Sequence, residues 1–529
     1  MTNKNLLSEF EGSLNLQRLV NTIAQNQLTR IKGFTGSSLS IYCSCLINQL
    51  SESNIFIFNS KEDSLYFLND IELLNPDKKI FFFPEAAKEP YSESRLNNYN
   101  LLQRTELIET LNFSNSKSSI IITYVNAIAE NQINKNDFKK SSINLKVNQT
   151  ISFDKLNEEL FELDFRKEDF VLEPGEFAVR GGILDIFPYS SQTPLRIEFF
   201  GDEITRIRSF DIESQRSEKE INSIKIISNI QVSKNSKNVK NIFQILDSKT
   251  NVFFQNIELF YSELKKILEL AKSKYDTIPN KENFVSPNNL YINLENIKEV
   301  IESFKIIELN SIHPDASFKL NIQPQPSFNK SFDLLIKNLK HKKSEGYSIH
   351  LCCTNSKQKN RLSQIFLDLE SENLVDPIIL PISGGFIDND EKKLYYTDHQ
   401  IFDRYHKFKF RKRFKNKLSI ALKQITNLTK GDYVTHIDHG IGKYVGLQKI
   451  DVDGKMQESI KIIYGERDIL FLSIHALHKI SKYNGKEGKT PRLYKLGSKA
   501  WALLKQKTKK NVKKIAYDLI RLYAERKQR

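Results

Sequence analysis

FAVRGGILDIFPY, residues 177–189, and TPLRIEFFGDEITRIRSFD, residues 193–211, alternate apolar and polar side chains around glycine-containing turns. Such alternation is typical of strands with one buried face, and Gly-Gly between two strand-like runs favours a tight hairpin. These stretches predict antiparallel hairpins. We expect the whole segment 145–234 to form a small β-rich domain.

The chain on both sides of this segment has a different pattern. Residues 1–144 alternate apolar runs, such as SNIFIFNS, KKIFFFPE and SSIIITYV, with helix-like segments. Residues 235–327 resume this pattern with TNVFFQN and the amphipathic IELFYSELKKILELAKSKY. Alternating strands and helices predict an open parallel sheet. We therefore expect one α/β domain, divided into 1–144 and 235–327, with the β-rich domain inserted in it.

Four further segments complete the predicted α/β multidomain architecture. Residues 328–412 alternate strand-like and helix-like runs and predict a further small α/β domain. Residues 413–428 are a basic linker, and 429–483 hold several short strand-like runs with Gly turns, typical of a small SH3-like or Tudor-like barrel. Residues 495–529 show helical spacing of apolar side chains after an N-cap serine, which predicts a long basic helix.

The composition favours a globular cytoplasmic protein without a membrane partner. Hydrophobic residues make up 39% of the chain, and no apolar run approaches the roughly 18–20 residues of a membrane helix. The N-terminus, MTNKNLLSEFEG, lacks the basic and apolar regions of a secretory signal. Cys43, Cys45, Cys352 and Cys353 lack the spacing of a disulfide framework or a zinc site. We expect buried, reduced thiols.

The positive charge is concentrated at the C-terminal end. The formal net charge is +15, yet residues 401–529 hold 32 of the 79 Lys and Arg residues and only 11 of the 64 Asp and Glu residues. The first 400 residues are therefore slightly acidic. Such asymmetry favours contact between the C-terminal region and an anionic partner such as DNA. A solvated basic helix and linker is the alternative.

Residues 33–40, GFTGSSLS, which we call the glycine loop, are close to a phosphate-binding loop. That loop requires G-x-x-x-x-G-K-[ST], because backbone amides wrap the phosphates, the lysine reaches the terminal ones and the hydroxyl holds magnesium. Here Gly33 and Gly36 are followed by Ser38, Leu39 and Ser40, and Leu39 replaces the lysine. We interpret the segment as a nucleotide site that has lost its chemistry. An ordinary Gly-Ser turn before an apolar run is the alternative.

Two blocks of sequence carry a family resemblance. EPGEFAVRGGILDIFP, residues 173–188, followed by PLRIEFFGDEITRIRSFDIESQRS, resembles the UvrA-binding domain of the repair protein UvrB and of bacterial transcription-repair coupling factors. GDYVTHIDHGIGKYVGLQKI, residues 431–450, resembles the RNA polymerase-interacting domain of coupling factors and of CarD-type regulators. Coupling factors carry both blocks in this order. The first α/β domain of that family resembles UvrB and keeps a degenerate phosphate loop.

The first block implies a UvrA-binding surface. Carried over residue by residue, its motif implies contacts at Arg166, Arg180, Arg196, Glu198 and Phe199. Arginine and aromatic side chains dominate many binding hot spots. The alternative is that RIEFFGD alternates one buried and one solvated face, so that at most one of Phe199 and Phe200 is interfacial. We interpret Asp185 as structural and the Gly181-Gly182 pair as a turn or a bulge.

The second block implies a contact with the RNA polymerase β subunit. Its strand 444–449 would add to an exposed strand edge of that subunit, with Leu447 as the main contact and Val445 and Lys449 as supporting ones. Packing of these side chains in the core is the alternative. His436, Asp438 and His439 lie close by, but turn residues without a distant fourth ligand are weak evidence for a metal site, and we predict none.

The resemblance also implies a motor that these 529 residues do not contain. The family continues into helicase-like domains that bind ATP and Mg²⁺ and move on DNA. We therefore expect an N-terminal portion of a longer protein, without catalytic residues or a cofactor of its own. A second departure from nucleotide chemistry supports this expectation, because NVFF is followed by Gln255 and Asn256 where acidic magnesium ligands would stand.

The expected function is a recruitment platform for transcription-coupled nucleotide excision repair. It would bind RNA polymerase stalled at a DNA lesion and recruit UvrA, while translocation would belong to the missing motor. One alternative is a UvrB-like ATP-dependent repair enzyme, against which Leu39 argues. Another is a CarD-like transcription regulator, which would leave residues 173–217 unexplained.

Overall fold

The computed structural model describes most of the chain up to residue 404 and parts of the remainder. The described residues are 7–8, 10–87, 90–91, 98–113, 118–212, 215–229, 232, 236, 239–404, 429–436, 439–452, 455–465, 468–473, 480–483, 491, 493, 495–496 and 501. The predicted linker 413–428 lies outside them. So does the predicted helix 495–529, apart from 495–496 and 501.

Helices and strands alternate along much of the described chain. The helices are α1 (Leu14–Gln25), α2 (Ser38–Gln49), α3 (Lys61–Leu74), α4 (Asn98–Phe113), α5 (Val125–Ala129), α6 (Lys135–Lys140), α7 (Phe153–Glu162), α8 (Ile257–Asp276), α9 (Pro287–Leu290), α10 (Leu294–Glu302), α11 (Phe332–Ser344), α12 (Ser356–Asp368) and α13 (Asp398–Ile401). Short 3₁₀ turns span Ile242–Gln244 and Lys281–Asn283.

Among the described residues, the strands are most numerous in the second and third quarters of the chain. They are β1 (Leu28–Lys32), β2 (Asn54–Phe58), β3 (Ile80–Phe83), β4 (Ile120–Tyr124), β5 (Ser142–Lys146), β6 (Arg166–Lys167), β7 (Glu176–Arg180), β8 (Ile183–Phe187), β9 (Leu195–Phe200), β10 (Glu203–Phe210), β11 (Ser217–Glu220), β12 (Ser223–Ile227), β13 (Asn251–Phe254), β14 (Lys305–Glu308), β15 (Phe318–Lys319), β16 (Ile322–Pro324), β17 (Ser348–Cys353), β18 (Ile378–Ile379), β19 (Phe386–Asp388), β20 (Lys393–Thr397), β21 (Tyr433–His436), β22 (Gly440–Val452), β23 (Lys455–Ile463), β24 (Ile469–Ser473) and β25 (Ile480–Lys482).

The chain divides into two compact units. Unit 1 consists of Met1–Ser142 and Asn229–Arg413, and unit 2 consists of Ile143–Ser228 and Phe414–Arg529. Unit 1 therefore takes residues from both sides of the predicted insert. The predicted α/β multidomain class is confirmed by this mixed α/β architecture with several sheets.

A seven-stranded parallel sheet forms the centre of unit 1. Its strand order is β15-β1-β14-β13-β2-β4-β3, so strands from both sides of the insert alternate in one sheet. Every residue of β2, β3, β4 and β13 is buried. Parallel sheets are usually covered on both faces, which explains why these strands are continuous apolar runs.

Unit 1 also contains a smaller five-stranded sheet with the order β16-β19-β20-β17-β18. Its pairs are parallel around β17 and antiparallel around β19. Helices α11 and α12 bury Leu335, Leu339 and Leu362 in the same hydrophobic core as Leu351 and Tyr396 of the sheet. This sheet and its helices form the small α/β domain of unit 1.

A six-stranded sheet, with the order β11-β10-β9-β8-β7-β6, forms the first part of unit 2. β7 and β8 form a hairpin across a two-residue turn in which Gly181 has a φ of +60°, a conformation that glycine adopts without strain. β9 and β10 form a second hairpin. Helix α7 covers one face of the sheet, because Leu156 and Leu160 pack with Leu184 and Ile197.

A five-stranded antiparallel sheet forms the second part of unit 2. Its order is β24-β23-β22-β21-β25. Val434, Ile460 and Ile462 belong to its hydrophobic core, which also contains Leu172 from the segment before β7.

Among the described residues, no helix combines the length and apolar character needed to cross a membrane.

The stacked histidine of the small α/β domain predicts a pH dependence of stability. The ring of His350 on β17 stacks on Tyr395 with centroids 4.5 Å apart. Burial, together with the nearby charge of Lys393, lowers the pKa of His350 from 6.5 to about 4. His350 therefore binds a proton near pH 6.5 in the unfolded chain but only near pH 4 in the folded chain. The contribution of neutral His350 to the free energy of unfolding is fully present above pH 6.5 and is lost as the pH falls towards 4.

We expect His350→Phe, which keeps a planar ring, to remove about 2 kcal/mol of the stability difference between pH 7.5 and pH 5. Urea unfolding followed by circular dichroism at both pH values measures it. His341→Phe is the control, because the His341 side chain is 68% exposed. The explanation is wrong if His350→Phe loses stability as steeply as the unaltered chain.

Candidate functional site

The face of the six-stranded sheet opposite α7 carries most of the residues predicted to bind UvrA. On β9 the residues Leu195, Ile197 and Phe199 pack in the core with α7 or against it. Strand alternation therefore turns Arg196 and Glu198 to the other face. We call this second face of the sheet the arginine face. Its members on the central strands are Arg180 on β7, Asp185 on β8 and Arg196 and Glu198 on β9.

Arg196 forms a bidentate ion pair with Asp185. Its Nε lies 2.7 Å from Oδ1 and its Nη2 lies 2.9 Å from Oδ2 of Asp185. Nη1 donates to the carbonyl oxygen of Gln215 at 3.2 Å, and the guanidinium lies over the Phe210 ring. The hydrogen bond with Asp185 raises the pKa of Arg196. With its side chain only 17% exposed, Arg196 fixes the local geometry of the face as well as contributing charge.

Arg180 shares the same carboxylate and is more accessible. Its Nη1 lies 3.8 Å from Oδ2 of Asp185, and its side chain is 41% exposed. Its Nη2 donates to the carbonyl oxygen of Asp169, and its guanidinium stacks over Phe170 at 4.6 Å. Asp185 therefore joins two arginines from neighbouring strands, which gives the predicted structural residue a defined role.

The remaining charged residues of the face are also paired. Arg166 on β6 lies 3.5 Å from Glu176, and 44% of its side chain is exposed. Glu198 binds Arg208 of β10, a residue not predicted from the sequence. Each arginine is thus ordered by a carboxylate. The face can present guanidinium groups to a partner in fixed positions, which suits recognition of carboxylates.

The two adjacent phenylalanines of β9 point to opposite sides. Phe199 packs against Phe153 with ring centroids 4.8 Å apart. Phe200 is 81% exposed at the end of the strand. The sequence predicts at most one interfacial ring, and Phe199 is the predicted one. Of the two rings, Phe200 is the exposed one, and the parity of β9, with Leu195 and Ile197 buried, is the sequence signal for that exposure.

The arginine face adjoins the five-stranded sheet of unit 2. Phe170, over which Arg180 stacks, and Leu172 pack with the core that contains Val434 and Ile462. Leu172 is 4% exposed. The segment before β7 therefore has one side under an accessible arginine and the other in the core of the neighbouring sheet.

The strand predicted to bind RNA polymerase has an open edge. β22 pairs with β23 from Lys443 to Val452, whereas β21 pairs with β22 only from Gly440 to Lys443. On the other edge of β22, Tyr444 still exchanges backbone hydrogen bonds of 2.8 Å with Gly431 and Asp432. In the part of the chain that the structure describes, this edge has no partner strand beyond Tyr444. The predicted residues Val445, Leu447 and Lys449 lie in this stretch, and the side chains of the last two are outside the described residues.

The histidines that suggested a metal site are involved in local contacts. His436 is 2% exposed, and its Nδ1 accepts a hydrogen bond from the backbone N–H of His439 at 3.2 Å. Their rings lie 4.6 Å apart. Asp438 lies outside the described residues. Among the residues that the structure describes, no cluster of three or more His, Cys, Asp or Glu residues could hold a metal ion.

The glycine loop connects β1 to α2, at the carboxyl end of the parallel sheet. Within the loop, the Ser38 hydroxyl donates to the Thr35 carbonyl oxygen at 2.7 Å and accepts from the Thr35 N–H at 3.1 Å. The Ser37 N–H donates to the carbonyl oxygen of Gly384 at 2.9 Å. The Ser37 hydroxyl donates to Asp70 of α3 at 2.6 Å. The loop is therefore bonded both to helix α3 and to the small α/β domain.

A pocket of about 230 Å³ lies beside the glycine loop. Leu39 lines it together with Asp63, Tyr66 and Gln255, and none of the described lining residues is a lysine or an arginine. Gln255 is used structurally, since its side chain accepts from the Asn59 N–H at 3.0 Å and donates to Asp63 at 3.1 Å. Asn256 caps α8 by accepting from the Leu259 N–H at 2.8 Å.

Family models match the two blocks that carry the resemblance. Residues 143–231 match the UvrB interaction domain, and residues 428–484 match the CarD-like/TRCF RID domain. The first match covers the six-stranded sheet, and the second covers the five-stranded sheet. The resemblance predicted from the sequence is confirmed for both segments.

Curated relatives with the name transcription-repair-coupling factor are similar to nearly the whole chain. The protein of Bacillus subtilis is 25% identical over 575 residues, which cover 94% of this chain and 48% of the relative. The protein of Borreliella burgdorferi is 25% identical over 571 residues (98% and 49%), and that of Rickettsia conorii is 26% identical over 545 residues (90% and 47%). The chain spans about half the length of the curated relatives it matches.

The geometry of the arginine face predicts unequal roles for two arginines. Arg196→Met removes three hydrogen bonds. It leaves Asp185, which is 2% exposed, with the longer ion pair to Arg180 at 3.8 Å. A buried charge that loses its partner is costly, so we expect a loss of about 2–4 kcal/mol in the free energy of unfolding. Urea unfolding followed by circular dichroism measures this loss.

Arg206→Met on β10 is the matched control. Arg206 lies 3.5 Å from Glu220, and both side chains are more than half exposed. Exposed pairs contribute little, so a loss below about 1 kcal/mol is expected. Equal losses in the two variants would contradict a structural role for Arg196.

Proposed function

We propose that this chain, similar to transcription-repair-coupling factors along nearly its whole length, is the recruitment part of a coupling factor in transcription-coupled nucleotide excision repair. The five-stranded sheet binds RNA polymerase stalled at a DNA lesion, and the six-stranded sheet recruits UvrA. The observation that carries the proposal is the presence of a UvrB interaction domain and a CarD-like/TRCF RID domain in one chain. ATP, Mg²⁺ and translocation on DNA are assigned to the rest of a complete coupling factor.

Finer features of the fold belong to the same proposal. The seven-stranded sheet of unit 1 is a UvrB-like module in which the glycine loop is a degenerate phosphate-binding loop. The five-stranded antiparallel sheet of unit 2 is a small barrel of the SH3 or Tudor type. The basic C-terminal region is a candidate for DNA contact, because its excess of Lys and Arg suits phosphate groups.

The arginine face is the proposed UvrA-binding surface. Arg166 and Arg180 are the accessible guanidinium groups, and Arg196 and Glu198 hold the face in shape while contributing charge. Phe199 remains a predicted contact. Phe200, with its exposed ring, adds the aromatic area that hot spots contain, and we expect it to contribute more than Phe199.

The open edge of β22 is the proposed polymerase-binding surface. A strand of the polymerase β subunit would pair with the edge of β22 that, among the described residues, has no partner strand after Tyr444. In such strand addition the backbone gives affinity and alternate side chains give specificity. Leu447 is the main proposed contact, and Lys449 shares its face of the strand by alternation. Val445 is in support, beside the register shift between Tyr444 and Gly446.

Phe200→Ala tests the UvrA-binding surface. Removal of an exposed hot-spot ring leaves the fold intact and weakens binding by about 2 kcal/mol, which is about 30-fold in Kd. Titration of UvrA against the full chain by isothermal calorimetry measures the change. Phe161→Ala is the control, since Phe161 is 55% exposed on α7, away from the arginine face. Unchanged UvrA affinity in Phe200→Ala would exclude Phe200 as a contact.

Leu447→Arg tests the polymerase-binding surface. We expect binding of the isolated RNA polymerase β lobe to weaken at least about tenfold, because a charge replaces an apolar contact at the strand edge. Gln448→Arg is the control, since it adds the same charge on the opposite face of β22. Failure of the unaltered chain to bind the β lobe, with UvrA binding retained, would remove the polymerase half of the proposal.

A further inference from the structure

The glycine loop has the arrangement that usually receives a phosphate. It follows the buried strand β1 and precedes the N-terminus of α2, a helix of 12 residues. Backbone N–H groups at such a junction, together with the helix dipole, favour an anion or another acceptor. With Leu39 in the place of the lysine, another group of the molecule can serve as the acceptor for these backbone N–H groups.

Backbone carbonyl groups of the small α/β domain occupy the loop. The Ser37 N–H donates to the Gly384 carbonyl oxygen at 2.9 Å, and the Gly384 N–H donates back to the Ser37 hydroxyl at 2.9 Å. A Cβ atom added to Gly36 would lie 2.6 Å from the Gly385 carbonyl oxygen and 2.9 Å from that of Gly384. Two carbonyl oxygens therefore lie against Gly36, where a phosphate would bring its own oxygens.

The contact requires glycine on both sides. Gly36 has a φ of +55°, and a Cβ atom added to Gly384 would lie 3.0 Å from the Gly36 Cα. The two backbones therefore approach more closely than side chains would allow. The segment 383–385 is also held from its own domain, because the Gly385 N–H donates to Gln400 at 2.6 Å.

A buried carboxyl group, that of Asp70, lies at this junction. Asp70 of α3 has 0% exposure and accepts from the Ser37 hydroxyl at 2.6 Å, the Ser383 hydroxyl at 2.7 Å and the Ser383 N–H at 2.9 Å. Burial raises the pKa of Asp70, and these hydrogen bonds oppose the rise. When charged, Asp70 repels a second anion. The adjoining pocket has no lysine or arginine among its described lining residues to offset that repulsion.

A second carboxylate binds the same helix. The Tyr42 hydroxyl of α2 donates to Asp388 at 2.8 Å, and the Tyr42 ring packs edge-on against Phe10 and Phe34. Asp388 is fully buried. Helix α2 therefore carries two groups, Ser37 just before its first turn and Tyr42 in its second, that hold the small α/β domain.

We propose that the glycine loop is an internal docking site whose occupant is the segment Ser383–Gly385 of the same chain, held by backbone carbonyls in place of phosphate oxygens and by Asp70 in place of a bound anion. The inference rests on the proposed function in one respect, the interpretation of the loop as a degenerate phosphate-binding loop. Its consequence is that the lost lysine is not the only barrier to nucleotide. Leu39→Lys alone does not restore binding of Mg·ATP.

Two variants of the full chain test the docking site. Leu39→Lys is titrated with Mg·ATP by isothermal calorimetry, and no saturable binding is expected up to about millimolar ATP. A functional phosphate-binding loop would be saturated at that ATP concentration. Gly384→Val places a side chain against Gly36 without a positive φ at residue 384. Hydrogen exchange measured by mass spectrometry is expected to speed up at least tenfold in peptides covering 33–40 and 381–388.

Controls make each outcome decisive. Gly12→Val is the matched control, because a Cβ atom at Gly12 has no neighbour within 4 Å, and its exchange in both peptides stays unchanged. If Gly384→Val does not fold, Ser383→Ala, which removes one hydroxyl donor to Asp70, is measured instead, with the same increase expected. Saturable Mg·ATP binding by Leu39→Lys, or unchanged exchange in the segment variant that folds, overturns the proposal.

These measurements involve neither UvrA nor RNA polymerase. Failure of the unaltered chain to bind either partner would remove the proposed function and leave the exchange results standing. Conversely, Mg·ATP binding by Leu39→Lys would remove the docking site and leave the recruitment proposal intact.

Discussion

β13 lies between β2 and β14, and the parallel sheet of unit 1 depends on that position. Interior strands must satisfy their backbone groups on both edges, so β2 lacks a partner on one edge until the chain has passed through the insert and returned as β13. Gln132 forms a bridge with Lys240, which brings the two ends of unit 1 together where the insert leaves and re-enters. The inserted segment therefore has to fold between two strands, β2 and β13, that pair with each other in the parallel sheet of unit 1.

The arginine face shows how charge is kept both ordered and available. Asp185 is buried and binds Arg196 tightly and Arg180 loosely, so one carboxylate fixes one guanidinium and leaves the other accessible. A partner that offers carboxylates competes for Arg180 without dismantling the Arg196 pair. The face can exchange partners on its accessible side because its buried side is already satisfied.

The sequence was sufficient to predict features with a local signature. Continuous apolar runs identified β2, β3, β4 and β13, and alternation identified the hairpins of the inserted sheet, since both patterns follow from which faces of a strand are covered. The choice between Phe199 and Phe200 depended on the parity of β9 relative to its core. Contacts between distant segments, such as Ser37 with Gly384 across 347 positions, leave no periodic pattern in the sequence, so only the structure reveals them.

Leu172 is buried in a core that also contains Val434, Ile460 and Ile462, although 172 and 434 fall within different matched domains. A fragment cut at the limits of either domain would expose that shared apolar surface to water. Such a fragment would be prone to self-association, because newly exposed apolar patches promote aggregation. The limits of the two matched domains are therefore not the boundaries at which this polypeptide should be divided for expression.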